Sequence, residues 1–175
     1  MEKEEKDSLF TNTIIPHLDA AYNLARWLAR NEYDAEDIVQ DSFVRAYSYF
    51  NSFSGNNGKA WMLAIVRNTF YTWHQKQQVR QSIEVSGELP DDQITYEQTP
   101  DIELETKDKQ EAVRSALHAL PPEFREVIIL RELESMSYKE IASMIRIPIG
   151  TVMSRIARGR EMLRTLLSKQ LTEEA

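Results

Sequence analysis

Apolar residues recur every three to four positions along most of the chain and rarely in strict alternation, so the pattern predicts helices nearly throughout. Ile14, Leu18, Ala21, Tyr22, Ala25 and Leu28 share one side of a first helix over residues 14–30. Asp34 is placed to cap a second helix running to about Phe50, with Ile38, Val39, Phe43, Ala46 and Tyr47 toward a core. The polar stretch NSFSGNNGK separates this from a third helix beginning near Trp61, which completes a helical unit over residues 1–80.

Periodicity then fades. From about Val79 to Asp108 the chain carries Pro90, Pro100 and many carboxylates, and residues 81–108 are expected to be an acidic flexible linker. A second unit, residues 109–175, opens with a stripe of Ala112, Val113, Ala116, Leu117 and Leu120. Pro121 and Pro122 stop that helix and start another, where Phe124, Val127, Ile128 and Leu130 to Leu133 supply core. The expected fold is therefore all-α, two small helical domains joined by a linker.

The stretch SYKEIASMIRIPIGTVMSRIARGR has the layout of a helix-turn-helix. Ser137 and Glu140 have the spacing of a capping box, in which each side chain serves an orphan amide at the helix start. Tyr138, Ile141, Ala142 and Ile145 form a buried stripe, Pro148 and Gly150 interrupt it, and a second helix is expected from about Thr151. Val152, Ile156 and Leu163 continue the stripe, leaving Thr151, Ser154, Arg155 and Arg158 on the other face. Hydroxyl and guanidinium groups bond phosphates and base edges, so this face suits DNA better than a merely solvated one.

Charge adds a division that the total conceals. The formal net charge of −7 opposes nucleic-acid binding, yet Glu84 to Glu111 alone holds ten acidic and two basic residues. Trp61 to Ile83 has three basic residues and no acidic one, and Arg146 to Ala175 has six basic against three acidic. Two electropositive segments thus flank an acidic connector. The absence of cysteine excludes a disulfide framework or a cysteine zinc site. The charged N-terminus and the lack of a long apolar run predict a soluble cytoplasmic protein.

Two further patches carry candidate chemistry. Asp37, Gln40 and Asp41 share one side of the second helix beside Arg45, a surface that can dock a basic partner helix or simply face water. Asn56, Asn57 and Lys59 precede Trp61, Phe70, Tyr71, Trp73 and His74. Aromatic rings interleaved with amides and cations suit unpaired bases, although Trp61, Ile65 and Tyr71 also fit a helical core. His17, His74 and His118 lack metal-ligand spacing, no phosphate loop or nucleophile turn occurs, and neither a metal, a cofactor nor a catalytic residue is expected.

Three segments in order, DAEDIVQDSFVRAY, AWMLAIVRNTF and LPPEFREVIILRELESMSYKEIASMIRIPIGTVMSRIARGREML, resemble the extracytoplasmic-function sigma factors of bacterial RNA polymerase over nearly the full chain. The resemblance implies a non-enzymatic transcription initiation factor whose partners are core RNA polymerase, promoter DNA and an anti-sigma factor, the last able to hold it at the inner face of the membrane. It implies that Asp37, Gln40 and Asp41 grip the polymerase clamp helices. It assigns Asn56, Asn57, Lys59, Trp61, Arg67, Asn68, Tyr71, Trp73 and Lys76 to minus-ten DNA, and Thr151, Ser154, Arg155 and Arg158 to the minus-thirty-five duplex. This chain departs from the family pattern with Arg146 at a turn position usually held by Gly, Met153 where Lys or Arg is common, and Gly159 where Ala is common. Each is expected to bear on the DNA contacts.

Overall fold

The computed structural model describes residues 2–84 and 104–173, and among these every regular element is a helix. The first unit contains α1 (Lys3–Thr13), a 3-10 turn (Ile15–His17), α2 (Leu18–Leu28), α3 (Glu32–Tyr49), a second 3-10 turn (Phe50–Ser52) and α4 (Gly58–Glu84). The second contains α5 (Leu104–Ala119), α6 (Pro122–Glu132), α7 (Tyr138–Ile145) and α8 (Ile149–Glu173).

Four helices, rather than three, build the first unit. The additional one, α1, buries only Phe10, whose ring meets Phe43, Tyr47 and Phe50 edge-on with centroids 6.5, 5.4 and 5.4 Å away. A helix held by one aromatic anchor leaves no periodic stripe to read. The helix expected over residues 14–30 is correspondingly shorter, because Pro16 sits in the 3-10 turn and α2 starts at Leu18. Asn31, not Asp34, caps α3: its side-chain oxygen accepts from the Asp34 amide at 2.9 Å, while Asp34 lies one turn inside. The third predicted helix also starts early, at Gly58. A Cβ there would lie 2.9 Å from the Thr13 carbonyl oxygen, so the missing side chain lets α4 begin against the end of α1. Helices α2, α3 and α4 then pack around Leu24, Ile38, Met62, Leu63 and Phe70.

The expected linker is partly helical, since α4 continues to Glu84 and α5 begins at Leu104; the rest of it lies outside the described residues. In the second unit Pro122 occupies the first turn of α6, where its missing N–H removes no helical bond. Ala116, Leu117, Leu120, Val127 and Leu130 are buried as expected, but Val113 and Leu133 are exposed. Their flanks of the helices face solvent.

The units are not separate. Helix α2 packs on α5 and α6, α4 packs on α7, and the buried side chains of both units form one continuous apolar cluster.

Candidate nucleic-acid interface

The helix-turn-helix is built by local chemistry. Ser137 accepts from the Glu140 amide at 3.1 Å, and Glu140 accepts from the Ser137 amide at 3.2 Å, completing the capping box. Arg146 ends α7 in the left-handed conformation, φ 59°, where glycine would be unstrained. The strain costs about 1 kcal/mol. The next helix starts before Thr151: the Pro148 carbonyl already accepts from the Thr151 and Val152 amides, and Gly150 lies inside α8.

On α8, Val152 and Ile156 are buried, Ser154 and Arg158 are exposed, and Thr151 and Arg155 are half-buried. The four predicted duplex-reading side chains therefore share one side of α8, while Met153, also exposed, lies roughly half a turn away from Thr151 and Arg155. Gly159 does not belong to it. It is buried against α6, where an added Cβ would approach Ile128 Cδ1 to 2.6 Å, so its bearing is on helix packing rather than on DNA contacts.

The predicted minus-ten residues follow α4 and the loop before it. Asn56, Asn57, Asn68 and Lys76 are exposed, while Lys59, Trp61, Arg67, Tyr71 and Trp73 are half-buried. Asn57 also caps α4, accepting from the Ala60 amide at 3.0 Å. Trp61 packs its ring on Phe53, 5.1 Å between centroids, so it lines the core's edge. Phe70 is only 2% exposed and serves as core rather than as a stacking platform.

Several of these residues already have partners, and the partners come from the second unit. Arg67 makes a two-pronged ion pair with Glu126, Nε and Nη2 donating at 2.7 and 3.1 Å. Its guanidinium also lies over the Tyr71 ring, 4.7 Å from the centroid. Lys59 Nζ pairs with Glu134 at 2.8 Å. Burial raises the Glu126 carboxyl above its usual range, an effect larger than the opposing pull of Arg67. Burial likewise raises Tyr71, whose hydroxyl faces Glu126 without meeting hydrogen-bond geometry.

A residue that sequence reasoning passed over joins the units. Arg125, 3% exposed, donates to the Trp27 and Leu28 carbonyls at 2.9 and 2.8 Å and to the Leu120 carbonyl at 2.9 Å. One guanidinium thereby satisfies orphan carbonyls at the ends of α2 and α5, where a cation is also favoured by the helix dipoles. Beside it His118 stacks on Trp27, centroids 5.6 Å apart, and its pKa is pushed down to about 4 by burial and by nearby Arg125 and Arg114.

Asp37, Gln40 and Asp41 are all exposed on α3, and Asp41 pairs with Arg45 one turn later at 3.2 Å. That surface lies outside the junction.

Comparison with known proteins gives the same two-part division. Residues 14–80 match the family model Sigma-70 region 2, and residues 110–163 match Sigma-70, region 4. The ECF RNA polymerase sigma-E factor of Haemophilus influenzae is 36% identical over 149 residues, covering 80% of this chain and 77% of the relative. The ECF RNA polymerase sigma factor SigE of Mycolicibacterium smegmatis is 33% identical over 91% of this chain, which spans only 62% of that relative's length. Among solved structures, the sigma factor RpoE of Bartonella quintana, in complex with the anti-sigma factor NepR, aligns at TM-score 0.73 and 30% identity, covering 95% of this chain and 98% of that one. CnrH, in complex with the cytosolic domain of CnrY, shares the fold at TM-score 0.64.

Proposed function

Because the chain belongs to the extracytoplasmic-function sigma factors, we propose that it binds core RNA polymerase and directs promoter-specific transcription initiation. The observation that carries this is the order of matches to regions 2 and 4 in one chain, on either side of an acid-rich segment. The functional division is residues 1–80 for core binding and minus-ten opening, 81–108 as linker, and 109–175 for minus-thirty-five recognition.

The exposed Asp37, Gln40 and Asp41 supply an acidic and amide face for the polymerase clamp. Thr151, Ser154, Arg155 and Arg158 read the minus-thirty-five duplex from α8, in the manner of a recognition helix. Asn56, Asn57, Lys59, Trp61, Arg67, Asn68, Tyr71, Trp73 and Lys76 meet minus-ten DNA, with amides and rings capturing unpaired bases and cations balancing phosphates. The protein performs no covalent chemistry and needs no cofactor; it positions DNA for the polymerase. Two weak contacts become selective once polymerase sets their spacing.

No helix among the described residues is long and apolar enough to cross a membrane. A factor that acts on core RNA polymerase works where transcription takes place, so the proposed function puts this one in the cytoplasm. One structural relative was solved with a partner named an anti-sigma factor, and this supports control of the present chain by an anti-sigma factor.

Transcription in vitro with core polymerase tests the reading: promoter-specific transcripts are expected, and their absence across candidate promoters and cores would overturn it. Asp41→Lys should weaken core binding with helicity unchanged, because the Asp41–Arg45 pair is exposed and contributes only a few tenths of a kcal/mol to α3. Normal core affinity in that variant would remove the clamp assignment.

A further inference from the structure

We propose that Met153, with Ile149 and Ala157 beside it, reads the C5-methyl group of thymine in the minus-thirty-five duplex, a base contact that none of the polar side chains of α8 can supply. The proposal rests on the reading of α8 as the helix that enters the duplex through Ser154 and Arg158.

A rotation of about 100° per residue puts positions four apart into rows along a helix. Thr151, Arg155 and Gly159 make one row of α8, and it turns inward: the first two are half-buried and Gly159 is buried. Burial raises the Glu126 carboxyl, and Arg155, like Arg67, is a cation near enough to oppose that rise. Gly150, Ser154 and Arg158 make the next row. It is exposed along its length, and a Cβ added at Gly150 would meet nothing within 4 Å. Ile149, Met153 and Ala157 make the row beyond, also open to solvent, with Ile149 49% and Met153 51% exposed. No side chain in that row is polar.

A single exposed apolar residue needs no explanation, but two large ones a turn apart, followed a turn later by an exposed alanine, form a continuous strip. What covers the strip follows from the row it borders. A helix about 10–12 Å across fills a major groove about 12 Å wide, so a helix seated on Ser154 and Arg158 meets the duplex on both flanks. On one flank stand Thr151 and Arg155, and on the other the apolar strip. Phosphates and the polar base edges offer a thioether and a branched alkyl group no partner; the apolar group displayed in the major groove is the thymine methyl. Methionine suits it, being unbranched, polarisable and able to fill an irregular gap. Ser154 adds less than its type suggests, because its hydroxyl donates to the Thr151 carbonyl at 3.1 Å and keeps only its acceptor capacity for a base. Thymine is thus the preferred base on the Met153 side, where a cation would favour guanine.

The experiment uses the full chain in complex with core polymerase. A duplex promoter is selected from a random-sequence pool, and each thymine of its minus-thirty-five element is replaced singly by deoxyuridine, which removes the methyl group and leaves every hydrogen-bonding group in place. At one or two positions affinity should fall about fourfold, the effect of exposing one buried carbon. Met153→Ala should make those positions indifferent to the methyl group, and Met153→Leu should keep the discrimination. A repeated selection with Met153→Arg should exchange the preferred thymine for guanine. Uracil without effect at every position, or a uracil loss undiminished in Met153→Ala, overturns the methyl contact. Unchanged affinity for the selected duplex in Arg158→Ala instead overturns the reading of α8 on which that contact rests.

Discussion

The two cationic faces of this sigma factor differ in what lies opposite them. Ser154 and Arg158 on α8 look into solvent, whereas Lys59, Arg67 and Tyr71 on α4 meet α6 and the turn that follows it. Their side-chain chemistry is similar. Helix α8 spends its apolar stripe inside its own unit and leaves Ser154 and Arg158 outward, with Thr151 and Arg155 half-buried, but the outward face of α4 becomes a junction. A basic face belongs to one helix; whether it is available belongs to the assembly.

The largest effect should come from removing the guanidinium that joins the units. Arg125→Ala deletes charged hydrogen bonds to three helix-end carbonyls and should lower stability by about 3 kcal/mol. Urea unfolding followed by tryptophan fluorescence checks this, because Trp27 stacks at the junction. An unchanged midpoint would break the contrast between a covered face and an open one.

Next in size, Arg155→Ala and Arg158→Ala should each cost about 1–3 kcal/mol in affinity of the holoenzyme for a duplex promoter. Single-stranded DNA binding to α4 should be unaffected. Parallel titrations with the two probes sharpen the comparison, and equal loss on both would indicate damage to the fold rather than to one face. Gly159→Ala should cost about 1 kcal/mol through displacement of Ile128, with base preference unchanged. Thermal melting together with promoter selection checks it; a changed preference would return Gly159 to the DNA face.

The smallest expected effect is a pH dependence. Closed packing favours neutral His118, with a pKa of about 4, while an exposed imidazole gains its proton near 6.5. The separated form then binds more protons between these values, so the ring favours opening as pH falls through that window. Glu126 pulls the other way, because its raised pKa makes the closed form take up a proton first. His118→Phe isolates the imidazole: between pH 6.5 and 5 the urea midpoint, followed by tryptophan fluorescence, should fall less in the variant than in the parent. Identical profiles would exclude His118 from the junction.

Much of the architecture was legible because its causes are local. The Ser137–Glu140 box, the stop at Pro121 and Pro122, and the stripes of α2, α3 and α6 are written within a few residues of where they act. Errors fell where cause and effect are far apart. Helix α1 depends on rings more than thirty residues away, and Gly58 on the Thr13 carbonyl. Asn31 escapes the pattern for a different reason, since Asn31 and Asp34 are both good caps and what separates them is which side chain accepts from a first-turn amide, here Asn31 from that of Asp34. On the sites, spacing placed Ser154 and Arg158 correctly in the open but had no means to tell Phe70, a core residue, from the rings beside it.

Taken alone, the sequence determined that the chain is helical, divided in two by an acidic stretch, and equipped with a recognition helix and an acid-free aromatic one. Periodicity, capping and charge are properties of neighbouring residues. Only the tertiary structure decided that Arg125 and Glu126, adjacent in an ordinary-looking FREV segment, are buried ions binding the units together, and that Glu126 and Glu134 face Arg67 and Lys59. Their burial comes from surfaces separated in sequence by 59 to 98 residues, and the desolvation that gives those charges their consequence exists only once the surfaces meet.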